Sequence, residues 1–352
     1  MLLLFGFHCR SRLGVVVIVL SLAWRTLPAS GQEARFFRIG AAATAGSFFE
    51  IGGVLASAIS KPADSLPCEE GGSCGVPGLV AVAQATRGSV ENLRMVAADQ
   101  IESGIAQSDI ASWAFAGTGV FANEGPITKL RAIASLFPES LHVVVRAAGP
   151  IQTLADLKGR QISLGQTGSG TLADARIVLA ASGLIEQDLS AEYLRSGTAA
   201  ANLSDGSLEG FFLIGGVPIP AIRALAATTP IRLLTISDDV LSKMRAKYGP
   251  YDRSVILADT YPGVGTATST VGFRALWVVS ADAPDDLIFA ITKVLWNEAT
   301  RHLLDTRDPI GKNVRFEHAL DGLSVPLHPG ALRFYRQAGL PVEGGWPTGE
   351  AD

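Results

Sequence analysis

The chain has 352 residues, 48% of them hydrophobic and 18% charged, with a formal net charge of −4. That length suits two domains better than one ordinary core, and that apolar fraction excludes a mainly disordered chain. A slightly acidic balance without any run of lysine and arginine argues against a nucleic-acid partner, which calls for a basic face.

At the start, Arg10 and Arg12 precede the apolar run 13–20, and small residues follow at Ala29-Ser30-Gly31. A basic region, a short apolar region and small residues, in that order, predict a cleaved signal peptide over 1–31 and a periplasmic location. An uncleaved anchor is the alternative, but the run is shorter than the roughly 20 apolar residues of a membrane helix. Export carries Cys68 and Cys74 into an oxidising compartment, where such a pair reads as a disulfide. Gly71-Gly72 lets the intervening loop turn back, and closing so short a loop is worth about 2 kcal/mol. A metal site is the alternative reading, with no histidine nearby to support it.

From Arg35 onward, short apolar runs alternate with helical periodicity. Strands are predicted at 36–40, 79–83, 105–110, 130–136 and 141–145, with helices from Ile51 and over 90–97. Beyond Pro150 the order is a short helix at 154–159, strand 161–164, helix 172–181, a strand opening at Tyr193-Leu194 and helix 199–203. Strand 210–214, helix 219–226, strand 231–234, the long strand 271–279 and a helix from Ala283 to about Leu303 complete it. This alternation predicts an α/β fold with largely parallel sheets. The long strands 141–146 and 271–279 bracket the middle unit and read as crossovers. The expected organisation is lobe 1 over 35–145, lobe 2 over 146–270, a return to lobe 1 over 271–340 and a mobile Gly- and Pro-rich tail over 341–352.

The loop Gly165-Gln166-Thr167-Gly168-Ser169-Gly170-Thr171 falls between a strand and a helix. Helix N-terminal N–H groups and the helix dipole favour an anion there, glycine permits close backbone approach, and Ser169 and Thr171 add hydroxyls. Asp174 would lie in the first turn, where it suits the dipole. The loop lacks the endings of a P-loop or a dinucleotide fingerprint, and a capped βα turn is an equal reading. Thr44-Ala45-Gly46-Ser47 is a second such loop, followed by Phe48 and Phe49. Two loops of this kind would face each other across a cleft. Gln107-Ser108-Asp109 offers amide and hydroxyl groups to a polar ligand, or else a helix cap. Asp238-Asp239 and Asp285-Asp286 read as helix N-terminal acids. No Gly-x-Ser-x-Gly elbow is present, and His142, His302, His318 and His328 lack metal-ligand spacing, so neither catalysis nor a cofactor or metal is expected. A hydrolase using Ser47 or Ser169 would need a base that the sequence does not position.

Seven segments, taken in order, resemble one family. They are Gly88-Ser89-Val90-Glu91-Asn92-Leu93, Gln107-Ser108-Asp109, Leu130-Arg131-Ala132-Ile133-Ala134-Ser135-Leu136, Leu154-Ala155-Asp156-Leu157-Lys158-Gly159, Gly168-Ser169-Gly170-Thr171, Thr260-Tyr261-Pro262-Gly263 and Val325-Pro326-Leu327-His328-Pro329-Gly330. Each is weak alone; the ordered set, spread over 35–340, resembles the TAXI-type solute receptors of TRAP transporters. The segment 68–78 resembles a disulfide-bearing branch of that family.

The resemblance implies a periplasmic-binding-protein type II-like fold: two lobes joined by crossover strands with a ligand cleft between them. It implies capture of a small organic anion, a glutamate-like amino acid or dicarboxylate. It also implies a TRAP membrane permease driven by an ion gradient as partner. Carried over by position, the ligand contacts are Thr44, Gly46, Ser47, Phe48, Gln107 and Ser108 in the first lobe, and Gly168, Ser169, Gly170 and Thr171 in the second. Val217 and Pro218 fall near the mouth. The first loop departs from the family pattern: Ala41-Ala42-Ala43 stands where Thr-Gly is usual, and Phe48-Phe49-Glu50 where a Tyr-Tyr-Pro or Tyr-Phe-Pro is. A phenol hydroxyl is lost and Glu50 is gained, which points to a ligand with a less polar or cationic end. A periplasmic sensor serving a receptor kinase is the alternative on the same fold.

Overall fold

The computed structural model describes residues 34–249 and 251–342. The signal peptide expected over 1–31 and nearly all of the tail expected over 341–352 lie outside the described residues.

The first lobe begins with β1 (Arg35–Gly40), α1 (Ser47–Ile59), the short β2 (Ser60–Lys61) and β3 (Val76–Pro77), and β4 (Leu79–Gln84). Next come α2 (Ser89–Ala97), β5 (Ser103–Gln107), α3 (Ser108–Ala116) and the long β6 (Leu130–Arg146). α1 forms because Ile51, Leu55 and Ile59 repeat every four residues, and all three are fully buried against the sheet. Between β2 and β3, Cys68 and Cys74 are joined in a disulfide.

The second lobe follows with β7 (Gln161–Ser163), α4 (Gly170–Ala181), β8 (Ser190–Glu192), α5 (Ser196–Asp205) and β9 (Gly210–Gly215). It continues through α6 (Pro220–Ala226), β10 (Ile231–Leu233), α7 (Asp238–Tyr248), β11 (Asp252–Ile256) and β12 (Thr268–Ser280). The chain then returns through α8 (Asp285–Leu295), α9 (Glu298–Arg307) and α10 (Pro329–Gln337).

Both lobes use the same strand order. In the first it is β4-β1-β5-β12-β6, with β12 antiparallel to both neighbours. In the second it is β8-β7-β9-β6-β10, and now β6 is the antiparallel strand. β6 therefore ends one sheet and threads the other. The apolar cores divide at the same place: β6 contributes up to Phe137 to the first core and from Leu141 to the second, while β12 crosses between Phe273 and Ala275.

Three expectations are corrected. The strands expected at 130–136 and 141–145 are one strand, running through Pro138. Proline is tolerated there because β9 begins to pair only at Ser140, so no ladder bond is demanded of the missing N–H. The helix expected over 283–303 is two, because Asn297 caps a new one: its Oδ1 accepts from the Thr300 N–H at 2.7 Å. The strand expected to open at Tyr193-Leu194 instead ends at Glu192.

Candidate functional site

Parallel strands of both lobes end at one cleft. From the first lobe it receives the loops after β1 (Ala42, Ala43, Gly46), after β4 (Arg87, Gly88) and at the end of β5 (Gln107). From the second it receives the loops after β7 (Gly165, Gln166) and β8 (Leu194), and the strand β9 (Phe212, Leu213, Ile214). Carboxyl ends of strands are where open α/β sheets leave a crevice, because the chain must there turn away to helices on opposite faces. The cleft and the open solvent at its mouth together hold about 590 Å³ of empty space, only about 60 Å³ of it a cavity proper.

Several backbone devices build the walls. Gly165 and Gly168 have φ of +93° and +90°, which the turn into α4 demands and which glycine adopts without strain. Ser169 caps α4, its hydroxyl accepting from the Leu172 N–H at 3.1 Å, and it also faces the cleft. The capped-turn reading and the lining reading of this loop are therefore compatible. Gly170 sits so close to Gln107 that a Cβ there would fall 1.9 Å from the Gln107 Oε1. Ser89 holds Gln107 from below: its hydroxyl accepts from the Gln107 N–H at 3.1 Å and is 3.4 Å from Oε1.

The lobes touch across the cleft through hydrogen bonds. The Gly216 N–H donates to the Ser47 hydroxyl at 3.0 Å, and Gln107 Nε2 donates to Asp174 at 2.9 Å. Gln166 Nε2 donates to the Thr86 carbonyl at 3.3 Å, and the Glu91 N–H to the Gly168 carbonyl at 3.1 Å. Ala221 N–H reaches the Ala45 carbonyl at 3.2 Å. The conformation is a closed one.

Of the residues singled out from the sequence, Gly46, Ser47, Phe48, Gln107, Ser169, Gly170 and Thr171 line the cleft together. Phe48 stands edge-on to Phe137 and serves the core as well. Five others lie elsewhere. Thr44 faces an outer groove with Glu50 and Arg307. Ser108 is taken up by the fold, its hydroxyl accepting from the Arg274 N–H at 3.2 Å. Gly168 turns its carbonyl to Glu91. Val217 and Pro218, joined by a cis peptide bond, do not line the cleft. Asp174, expected in the first turn of α4, lies beyond that turn and fully buried beneath Gln107, with Tyr251 donating to it at 3.3 Å.

Sequence reading missed Arg87, Ser89 and Ser196 as site residues, and gave Gln166 no role of its own within its loop. Arg87 had a usable signal, a lone cation in the Thr86-Arg87-Gly88-Ser89 turn that ends a strand. Ser196 opens α5; it is buried, and its hydroxyl meets no partner among the described residues. Among the described residues, no three His, Cys, Asp or Glu side chains gather as a metal site.

The chain matches the sequence profile of the NMT1-like family over residues 39–339. It belongs to that family. For this NMT1-like protein, one solved structure bears on the fold and two others are similar more loosely. PhnD1 from Prochlorococcus marinus, in complex with methylphosphonate, is 11% identical with a TM-score of 0.50, over 88% of this chain and 100% of that one. The alkanesulfonate-binding protein SsuA from Xanthomonas axonopodis pv. citri, bound to MOPS, is 18% identical over 78% of each chain, TM-score 0.45. An ABC uptake transporter substrate-binding protein from Streptococcus pneumoniae with bound histidine is 13% identical over 82% of this chain and 97% of that one, TM-score 0.45. The NMT1-like chain thus has the periplasmic-binding-protein fold, two lobes with a ligand cleft between them.

Proposed function

We propose that this NMT1-like protein is an extracytoplasmic solute receptor of the TAXI type, which closes on a small organic anion and delivers it to a TRAP permease in the membrane. The observation that carries the reading is the convergence of helix N-termini from both lobes on one cleft whose rims are already hydrogen-bonded together. Hinge closure of this kind turns ligand binding into a shape that a permease can recognise. The TRAP assignment rests on the ordered family segments; the cleft supports a receptor without favouring one class of permease.

Catalysis has little support in the cleft. Ser47 and Ser169 each accept a backbone N–H, and among the described residues no histidine lines the site with them. A serine held as an acceptor, with no base beside it, is a positioning hydroxyl rather than a nucleophile.

The test is a thermal-shift and small-angle scattering screen of the exported chain, freed of carried-over ligand by unfolding and refolding. A bound organic acid at 100 times its Kd stabilises the fold by about 2.7 kcal/mol and holds the lobes closed. Absence of any shift across carboxylates, phosphonates and sulfonates would remove the receptor reading. Uptake into vesicles carrying the permease, driven by an ion gradient and not by ATP, tests the TRAP assignment separately.

A further inference from the structure

The charges of the cleft narrow the ligand. Four helices of nine residues or more begin at its wall, α1 at Ser47, α2 at Ser89, α4 at Gly170 and α5 at Ser196. Each brings the positive end of its dipole to the cleft wall. The buried Ser196 hydroxyl, without a partner among the described residues, is a further donor placed there.

Arg87 is the one charged side chain among the described residues that line the cleft. Its guanidinium makes a 3.6 Å ion pair with Glu91 and is more than half exposed, so its other donors are free of the fold. Of the carboxylates near the cleft, Glu91 is taken up by the guanidinium and backbone N–H of Arg87, and two others are turned away. Asp174 is held beneath Gln107 by Gln107 and Tyr251. Glu50, the acid that the altered first loop brings in, faces the outer groove with Thr44 and Arg307. Apolar wall comes from Phe48, Leu194, Ala199, Phe212 and Ile214.

Resting on the receptor reading above, we infer that the ligand is an organic acid without an ammonium group, so that zwitterionic amino acids are rejected. An ammonium in this cleft would meet four dipole ends of its own sign and no carboxylate among the described lining residues, with Glu91 already held by Arg87, while losing its water. A carboxylate finds Arg87, the Ser196 hydroxyl and those dipole ends. The cationic end that Glu50 suggested has no free carboxylate among the described lining residues, and the less polar end has the apolar wall.

Two pairs of probes isolate the ammonium: glutarate against L-glutamate, and 4-methylpentanoate against L-leucine. Within each pair the molecules differ by that group alone. Calorimetric titration of the ligand-free full chain is expected to give at least one acid that binds, with its amino partner weaker by about tenfold or more. Arg87→Gln is expected to weaken the acid by a similar factor. An amino acid that binds as tightly as its deaminated partner overturns the inference and leaves the receptor reading intact. Failure of all four probes, with no shift from phosphonates or sulfonates either, overturns the receptor reading and the inference with it.

Discussion

Asp109 on α3 of the first lobe and Asp174 on α4 of the second turn their carboxyl groups to one another in the sealed interior beneath the cleft. Both Asp109 oxygens are shut off from solvent and meet no donor among the described residues. Two carboxyl groups can share such a place only if a proton lies between them. Burial pushes the Asp109 carboxyl up to about 6, and burial together with the charge of Asp109 raises Asp174 well above its ordinary value. Glu139 on β6, also buried and raised, stands close enough to add repulsion, and Arg274 on β12 offsets it. Tyr251 and Gln107 donate to Asp174 from the other sides.

The pair gives stability a pH slope. The ordinary Asp value is 3.8, so between that value and about 6 the folded chain holds a proton that the unfolded chain has released. Stability from this source is full below pH 3.8 and falls as pH rises through about 6. Asp109→Asn supplies an amide donor in place of the shared proton. The variant is expected to match the parent near pH 4 and to be more stable by about 3 kcal/mol at pH 8, from about 2 pH units at 1.36 kcal/mol each. Urea unfolding midpoints at pH 4, 6 and 8 measure the difference. A difference independent of pH would exclude the shared proton.

His142 titrates in the opposite sense. Burial pushes it down to about 4, so the folded chain keeps it neutral where the unfolded chain would protonate it, and stability is lost as pH falls from 6.5 toward 4. Its Nδ1 lies 2.9 Å from the Ser140 carbonyl, and its Nε2 2.9 Å from the Tyr261 hydroxyl. That hydroxyl in turn accepts from the Ile219 N–H at 2.9 Å. Tyr261→Phe strands two buried groups at once and is expected to cost about 2 kcal/mol, read as a lower urea midpoint at pH 7. A change within error would mean that water replaces the hydroxyl.

The α/β alternation was legible because burial is written into local periodicity: Ile51, Leu55 and Ile59 on α1, and the apolar run 275–279 of β12, need no knowledge of the rest of the chain. The glycine loops were legible for the same reason, since Gly165 and Gly168 occupy left-handed conformations within one turn. What could not be read is pairing at a distance. Asp174 follows Ala173 in a helix that is buried nearly all round, and its local surroundings suggest a first-turn acid; its partners Gln107, Asp109 and Tyr251 come from three other elements. Arg87 and Ser196 share a wall only because two lobes close, and Thr44 leaves the site because α1 turns that edge of the loop outward.

The disulfide gives a plain stability test. Replacing Cys68 and Cys74 by serine together frees the loop between β2 and β3 in the unfolded chain, and is expected to cost about 2 kcal/mol on loop entropy alone. The unfolding midpoint of the oxidised parent against the double variant reads it. Because the loop lies away from the cleft residues, ligand affinity is expected to be unchanged.

Gly170→Ala separates a binding wall from a mere turn. Its backbone angle permits alanine, since the residue opens α4 in helical conformation, so the loop itself need not strain. The added methyl would nevertheless fall 1.9 Å from the Gln107 Oε1, and Gln107 must leave. Its departure breaks the 2.9 Å bond to Asp174 and removes one of the links between lobes. The expected result is weaker binding of any acid that the parent accepts, by about tenfold, since a site misaligned by a displaced side chain loses about 1.4 kcal/mol or more. The melting temperature of the unliganded chain should fall by only a few degrees, about what one lost buried hydrogen bond removes from a chain of this size. Retained affinity would mean that Gln107 supports the fold without touching the ligand, and would move the binding surface toward Arg87 and Ser196.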